Sequence, residues 1–206
     1  EVRDLILVGA RPPVAFFAYP GKPSTPEPPG CRIEPLCRDT EDVLATLKAL
    51  ETAPGAAGET ARRRARALPD RPSGRLTPEA AAAVVARQIP EGAILVDESI
   101  TVGGALAPLI SGARRHDLLN TMGGAIGGGL PCATGAAIAC PDRPVLALTG
   151  DGSAMYTLQS LWTMAREGLD VTVLVFANGG YRILHAEMQG MGVETPGRNA
   201  ERMFDI

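Results

Sequence analysis

The stretch from Val145 to Tyr181 constrains this chain more than any other. Val145-Leu146-Ala147-Leu148-Thr149 is an apolar run too short for a helix and closed by Gly150, so it reads as a buried strand ending in a turn. Asp151-Gly152-Ser153 follows, then Leu158, Leu161, Trp162 and Ala165 at helical spacing, with Gly168 as a helix stop. A second apolar run, Val171 to Ala177, ends at Asn178-Gly179-Gly180. Strand, helix, strand in so short a span is a βαβ unit, whose strands run parallel through a right-handed crossover. Both polar clusters therefore fall on one edge of an α/β sheet.

That edge, beyond the carboxyl ends of the strands, is where open α/β sheets bind ligands. Here it offers oxygen: the Asp151 carboxylate, the Asn178 side-chain carbonyl, and main-chain carbonyls that glycines such as Gly180 can turn inward. Such a set suits a hard cation, and Mg²⁺, which keeps part of its octahedral shell for water and phosphate, needs few protein ligands. A helix starting near Ala154, with Ser153 as a further donor, would add free N–H groups and a positive dipole end for a phosphate. Taken singly, Asp-Gly and a loop Asn are ordinary turn chemistry.

The combination is more specific. Gly150-Asp151-Gly152, followed by Asn178 twenty-seven positions after the Asp at the end of the next strand, resembles the cofactor motif of the thiamine diphosphate enzymes. The stretch GDGSAMYTLQSLWTMAREGLDVTVLVFANGGY is similar to the pyrophosphate-binding domain of the acetolactate synthase, benzoylformate decarboxylase and pyruvate decarboxylase superfamily. One departure is Ala177, where the family often has the first of two Asn; the metal ligand is the second, matched by Asn178. The resemblance implies thiamine diphosphate and Mg²⁺ as cofactors, with Asp151, Asn178 and Gly180 on the metal and Gly150, Gly152, Ser153 and Tyr181 beside the cofactor.

The rest of the 206-residue chain frames this unit. A net charge of −3 does not suggest nucleic acid as a partner, and the basic run Arg62-Arg63-Arg64 with Arg66 reads as a solvated linker face. No signal peptide and no stretch long enough to cross a bilayer is read, so a cytoplasmic protein off the membrane is expected. Cys31, Cys37, Cys132 and Cys140 lack CxxC spacing and nearby histidines, which argues against zinc and against a disulfide framework.

Leu5 to Gly9 reads as a strand, Val14 to Tyr19 as a second apolar run, and Pro20 to Pro29 as a Pro-rich surface stretch. Cys31 to Leu36 is a plausible strand and Asp39 to Leu50 an amphipathic helix. This opening part resembles the tail of the Rossmann-like central domain of the same enzymes, which makes 1–51 the end of that domain, 52–74 a linker, and 75–206 a C-terminally incomplete pyrophosphate-binding domain. There is no GxGxxG, so FAD is possible but unsupported.

The second domain starts with Thr77 as N-cap, Pro78 at the first helical position and a helix to Gln88. Ala93 to Val96 is a buried strand ending in Asp97-Glu98-Ser99-Ile100-Thr101. In the family this turn approaches the diphosphate, with Thr101 the best-placed match and Ser99 a weaker one; otherwise it is an acidic turn with a Ser cap. The glycine run Gly123 to Gly129 precedes a small-residue helix from Cys132 to Ala139 and implies close approach of a ligand or backbone. By resemblance, Ile126 is the wedge beneath the bent cofactor and Gly124 offers its carbonyl to the aminopyrimidine. The helix after Tyr181 carries His185 and Glu187, read as a solvated face, and 199–206 reads as the start of another helix.

The resemblance further implies a fragment: the glutamate that activates the cofactor lies in a domain outside this chain, supplied by a partner subunit of a homodimer or homotetramer. No catalytic residue is assigned here. The expected activity of the whole is on a 2-keto acid, first as an acetolactate synthase-like carboligase, alternatively as a benzoylformate-type decarboxylase, and alternatively as a cofactor-binding module without chemistry of its own.

Overall fold

The computed structural model describes residues 2–15, 18–55, 65–120 and 124–206. Phe16, Phe17, the arginines at 62–64 and Gly123 lie outside them. The chain divides into two compact units, Glu1–Arg63 and Arg64–Ile206.

In the first unit, β1 (Asp4–Val8) and β2 (Arg32–Cys37) pair in parallel, with a register shift between Leu7 and Val8. Helix α1 (Val43–Glu51) starts later than its acidic lead suggests, because Asp42 accepts from the Ala45 N–H at 2.9 Å and so serves as N-cap. None of its residues is buried. No strand forms at the described residues of the 14–19 run.

The second unit runs α2 (Pro78–Gln88), β3 (Ala93–Glu98), α3 (Gly103–Ile110), β4 (His116–Asn120), α4 (Gly129–Ala139), β5 (Val145–Gly150), α5 (Asp151–Met155), α6 (Gln159–Glu167), β6 (Val171–Phe176), α7 (Arg182–Gly190) and α8 (Arg198–Phe204). Its four strands are all parallel, in the order β4-β3-β5-β6. Thr77 caps α2 as expected, its hydroxyl accepting from the Ala80 N–H at 3.2 Å. Glu79 in the first turn has its pKa lowered by a hydrogen bond from its own backbone, then by Thr77.

The central strands are apolar on both faces because both are covered. Ala93 and Leu95 pack with Leu106, Ile110 and the alanines of α2; Ile94 and Val96 pack on the other face with Leu130, Ala133 and Ala137 of α4 and with Val145, Ala147 and Met164. Small residues let α4 lie close to the sheet, which later places its first turn over the strand ends. The edge strands are more open, with Leu118, Leu119, Leu174 and Val175 all exposed. No helix among the described residues is long and apolar enough to cross a membrane, and the four cysteines are unbridged.

Two expectations need correction. The crossover helix does not start near Ala154: α5 begins at Asp151, is five residues long, and breaks before α6. The apolar stripe on α6 does not mark its buried face either. Leu158, Leu161 and Trp162 are exposed, Trp162 beneath the Arg166 guanidinium at 4.6 Å, and Met164 is the buried residue. Elements α3 and β4 had no expectation at all.

Replacing Leu95 by Ala, at 0% exposure, is expected to cost about 2–5 kcal/mol of unfolding free energy. The same change at Leu174, 40% exposed on the edge strand, should cost about 0.5 kcal/mol. Denaturant titration compares them, and equal losses would mean that the core does not centre on β3.

Candidate functional site

Parallel pairing in register puts Gly150 beside Phe176, so the loops leaving β5 and β6 emerge together. Asp151 joins them. Its Oδ2 accepts from the Asn178 N–H at 2.9 Å and the Gly179 N–H at 2.7 Å, while Oδ1 accepts from its neighbour Gly152 at 3.0 Å. Gly179 has φ +71°, a left-handed conformation that side chains rarely adopt, and this turns its N–H toward the carboxylate. Asn178 Oδ1 accepts from the Gly180 N–H at 3.1 Å, and Gly180 O accepts from the Arg182 N–H at 3.1 Å.

Asp151 Oδ1, Asn178 Oδ1 and Gly180 O each accept one N–H among the described residues, leaving each a lone pair. A carboxylate, an amide oxygen and a main-chain carbonyl are the kinds of donor that a hard cation takes. Among the described residues no three His, Cys, Asp and Glu side chains cluster as a metal site. The helix contribution is smaller than expected, because α5 is barely more than one turn and its Gly152 N–H is already held by Asp151.

The end of β3 forms the facing wall. Ser99 is buried, with its N–H and hydroxyl both donating to Asp97 Oδ1, at 2.9 and 2.6 Å. Thr101 is exposed at the rim. Between them Ile100 has φ +43°, an outlier for a β-branched residue and a strain of about 1–3 kcal/mol held at the pocket. Glu98, read in sequence as part of an acidic turn, points inward at 1% exposure and accepts from the Gly127 N–H at 2.7 Å.

Gly150, Asp151, Gly152, Ser153, Asn178, Gly180 and Tyr181 thus line one small pocket with Ser99, Thr101 and Ile126, joined by Ile100, Arg182 and Ile183. Gly124, with φ +70°, lies on the glycine turn that carries Ile126. The pocket measures about 30 Å³, room for roughly one water. Tyr181 explains the closure. Its ring lies over Gly152, where a Cβ would stand 2.6 Å from it and 2.9 Å from Ile206, and it meets Tyr156 edge-on at 6.5 Å between ring centroids. The last residues close over the same loop: Tyr181 N–H donates to Phe204 O at 2.7 Å, and Gly180 bridges Asp205. His185 is not part of this pocket and packs on Phe204 at 4.6 Å.

Residues 103–205 match the family model of the thiamine pyrophosphate enzymes, C-terminal TPP binding domain, which is half of the chain. The chain belongs to the thiamine pyrophosphate enzymes. It is 50% identical, over its whole length, to a Mycobacterium tuberculosis (strain ATCC 25618 / H37Rv) protein named "Putative acetolactate synthase large subunit IlvX", and spans 40% of that relative. An alpha-keto-acid decarboxylase of Mycobacterium avium (strain 104) is 51% identical over 67 residues, 31% of this chain and 12% of the relative. Among solved structures, the thiamine diphosphate-dependent 4-hydroxybenzoylformate decarboxylase of Rhodococcus jostii RHA1 superposes with a TM-score of 0.74 at 26% identity, covering 98% of this chain and 40% of that one. Benzoylformate decarboxylase from Polynucleobacter necessarius shares the fold, with a TM-score of 0.69 at 23% identity, again over 98% of this chain and 40% of that one.

The TPP-binding domain therefore accounts for the parallel sheet and for the loops gathered at its carboxyl edge. Sequence reasoning missed Glu98, Ile100, Arg182 and Ile183. An acid at the end of an apolar strand was the available signal for Glu98.

Burial raises the pKa of the Tyr181 phenol, with Tyr156 and the Asp151 charge adding to it. A folded-state pKa above the unfolded one gives stability that is present below the ordinary tyrosine value of about 10 and is lost as pH rises through the folded value. Tyr181→Phe should remove a phenol step above the ordinary tyrosine value from an ultraviolet titration and flatten the alkaline loss of stability. An unchanged alkaline titration would place Tyr181 outside this cluster.

Proposed function

We propose that this chain binds the diphosphate end of thiamine diphosphate through Mg²⁺ held by Asp151, Asn178 Oδ1 and Gly180 O, as part of a longer enzyme acting on 2-keto acids. The observation that carries the reading is the Asp151 carboxylate, which takes N–H bonds from Asn178 and Gly179 and so brings the oxygens of two strand-end loops into one pocket. Thr101, Ser153 and the backbone of Gly150 and Gly152 stand where phosphate oxygens would be received, and Ser99 supports that loop through Asp97. Ile126 and Gly124 would meet the ring portion of the cofactor. When bound, thiamine diphosphate supplies an electron sink for the cleavage of a 2-keto acid. This chain's residues orient it, and Tyr181 with Ile206 must move outward to admit it.

The favoured chemistry is decarboxylation of benzoylformate type, supported by the fold match at 26% identity to a 4-hydroxybenzoylformate decarboxylase and by the alpha-keto-acid decarboxylase relatives. Carboligation of the acetolactate synthase kind, the first expectation from sequence, is the second reading, favoured by the name of the full-length match. We assign 1–51 to the end of a central domain, 52–74 to a linker and 75–206 to the pyrophosphate-binding domain. A homodimer or homotetramer would supply the activating carboxylate from a partner subunit. FAD has no motif to support it.

Isothermal titration of thiamine diphosphate with Mg²⁺ tests the metal assignment. Asp151→Ala should reduce affinity by more than the roughly 10–100-fold that loss of a supporting hydrogen bond costs a metal site. Unchanged affinity would remove Asp151 from the site. In the full-length protein, benzaldehyde release from benzoylformate without acetolactate from pyruvate would support decarboxylation, and the reverse would support carboligation.

A further inference from the structure

Glu98 has no part in the site as proposed, yet among the described residues it is one of the largest fully buried side chains. Its position follows from strand periodicity. Ile94 and Val96 face α4, so Glu98 does too, and in the parallel register it lies beside Thr149 of β5. Its two oxygens divide the work. Oε1 accepts from the Gly127 N–H at 2.7 Å, and Oε2 accepts from the Thr149 hydroxyl at 3.2 Å.

Gly127 is held from the other side as well. Its carbonyl accepts from the Thr157 hydroxyl at 2.8 Å, in the break between α5 and α6. Its φ of +96° excludes a side chain, and a Cβ there would stand 2.6 Å from Tyr156 Cβ. At Gly129 a Cβ would meet Glu98 Oε2 at 2.8 Å and Glu98 Cβ at 2.9 Å, so the turn rests directly on the acid. The N–H and the carbonyl of Gly127 are thus tied by side chains from different parts of the fold. Ile126 is the residue just before it, and Asp151 comes two residues after Thr149.

We propose that Glu98 is a positioning residue: bridging Gly127 and Thr149, it sets where Ile126 stands relative to the Asp151 loop. This rests on the reading that Ile126 meets the ring portion of thiamine diphosphate while Asp151 serves its diphosphate. Without Glu98 the glycine turn, having few apolar anchors, samples other conformations, and a ligand must reorder it on binding. The loss falls on the ring end and spares the diphosphate end. Gln keeps the bridge, with Oε1 accepting from Gly127 and the amide donating to the Thr149 hydroxyl, which itself can turn to Gly150 O at 3.3 Å.

The test uses the chain with Glu98→Ala and Glu98→Gln and two kinds of readout. Without any ligand, amide exchange at Gly127 should accelerate about ten- to hundredfold in Glu98→Ala and stay near wild type in Glu98→Gln. With Mg²⁺, thiamine diphosphate affinity should fall about ten- to hundredfold in Glu98→Ala while inorganic diphosphate affinity holds, and Glu98→Gln should keep both near wild type. Unchanged Gly127 exchange in Glu98→Ala, or equal loss of the two ligands there, would overturn the proposal. So would a Gln variant as impaired as the Ala variant. Wild-type chain that binds neither ligand would instead sink the reading of the site, while Gly127 exchange would still decide whether Glu98 holds the turn.

Discussion

One carboxylate holds the candidate site together. Parallel pairing alone would bring the ends of β5 and β6 side by side, but the loops leaving them would be free to diverge. Asp151 prevents this by accepting N–H bonds from Asn178 and Gly179 across the gap. An ionised acceptor makes stronger hydrogen bonds than a neutral one, and here the donors are main-chain groups with no rotamers to lose. The same arrangement leaves one oxygen on each of Asp151, Asn178 and Gly180 with a lone pair to give. Structure and proposed metal binding thus depend on the same residue, and disturbing it is expected to disturb both.

Around that joint the molecule trades local comfort for position. Ile100 keeps a positive φ at the pocket wall, the Gly127 turn lies against a buried acid, and Tyr181 rests where Gly152 leaves space for it. Each feature would be unfavourable in isolation. Each is held by neighbours from other elements, as expected where strain is tolerated for the sake of a site. The small pocket volume follows from Tyr181 and Ile206, so admission of a cofactor requires movement of these side chains and leaves the sheet beneath them in place.

What could be read from the sequence was whatever depended on local pattern. The two apolar runs of the βαβ unit, the Thr77-Pro78 helix start and the Asp151–Asn178 spacing all appear in the structure where the pattern placed them. The misses come from residues whose role is set by distant partners. Strand β4, His-Asp-Leu-Leu-Asn, has no alternation because it is an exposed edge, and α3 contains two glycines and Pro108, which argue against a helix until α2 packs on it. Asp151-Gly152 reads as a turn, yet a short helix starts there. Glu98 reads as part of an acidic turn because nothing local reveals the Gly127 N–H twenty-nine residues away. The stripe on α6 misled in the other direction, since Leu161 and Trp162 have the spacing of a buried face but lie open.

The central claim is that metal and diphosphate meet at the joint between the two strand-end loops. The most direct measurement replaces Mg²⁺ by Mn²⁺ and follows paramagnetic broadening of backbone amide signals in isotope-labelled chain with thiamine diphosphate present. The account predicts that Gly152, Asn178, Gly179 and Gly180 broaden first, at Mn²⁺ levels that leave the amides at the start of β4 sharp. Broadening centred elsewhere, or spread evenly over the acidic surface, would contradict it.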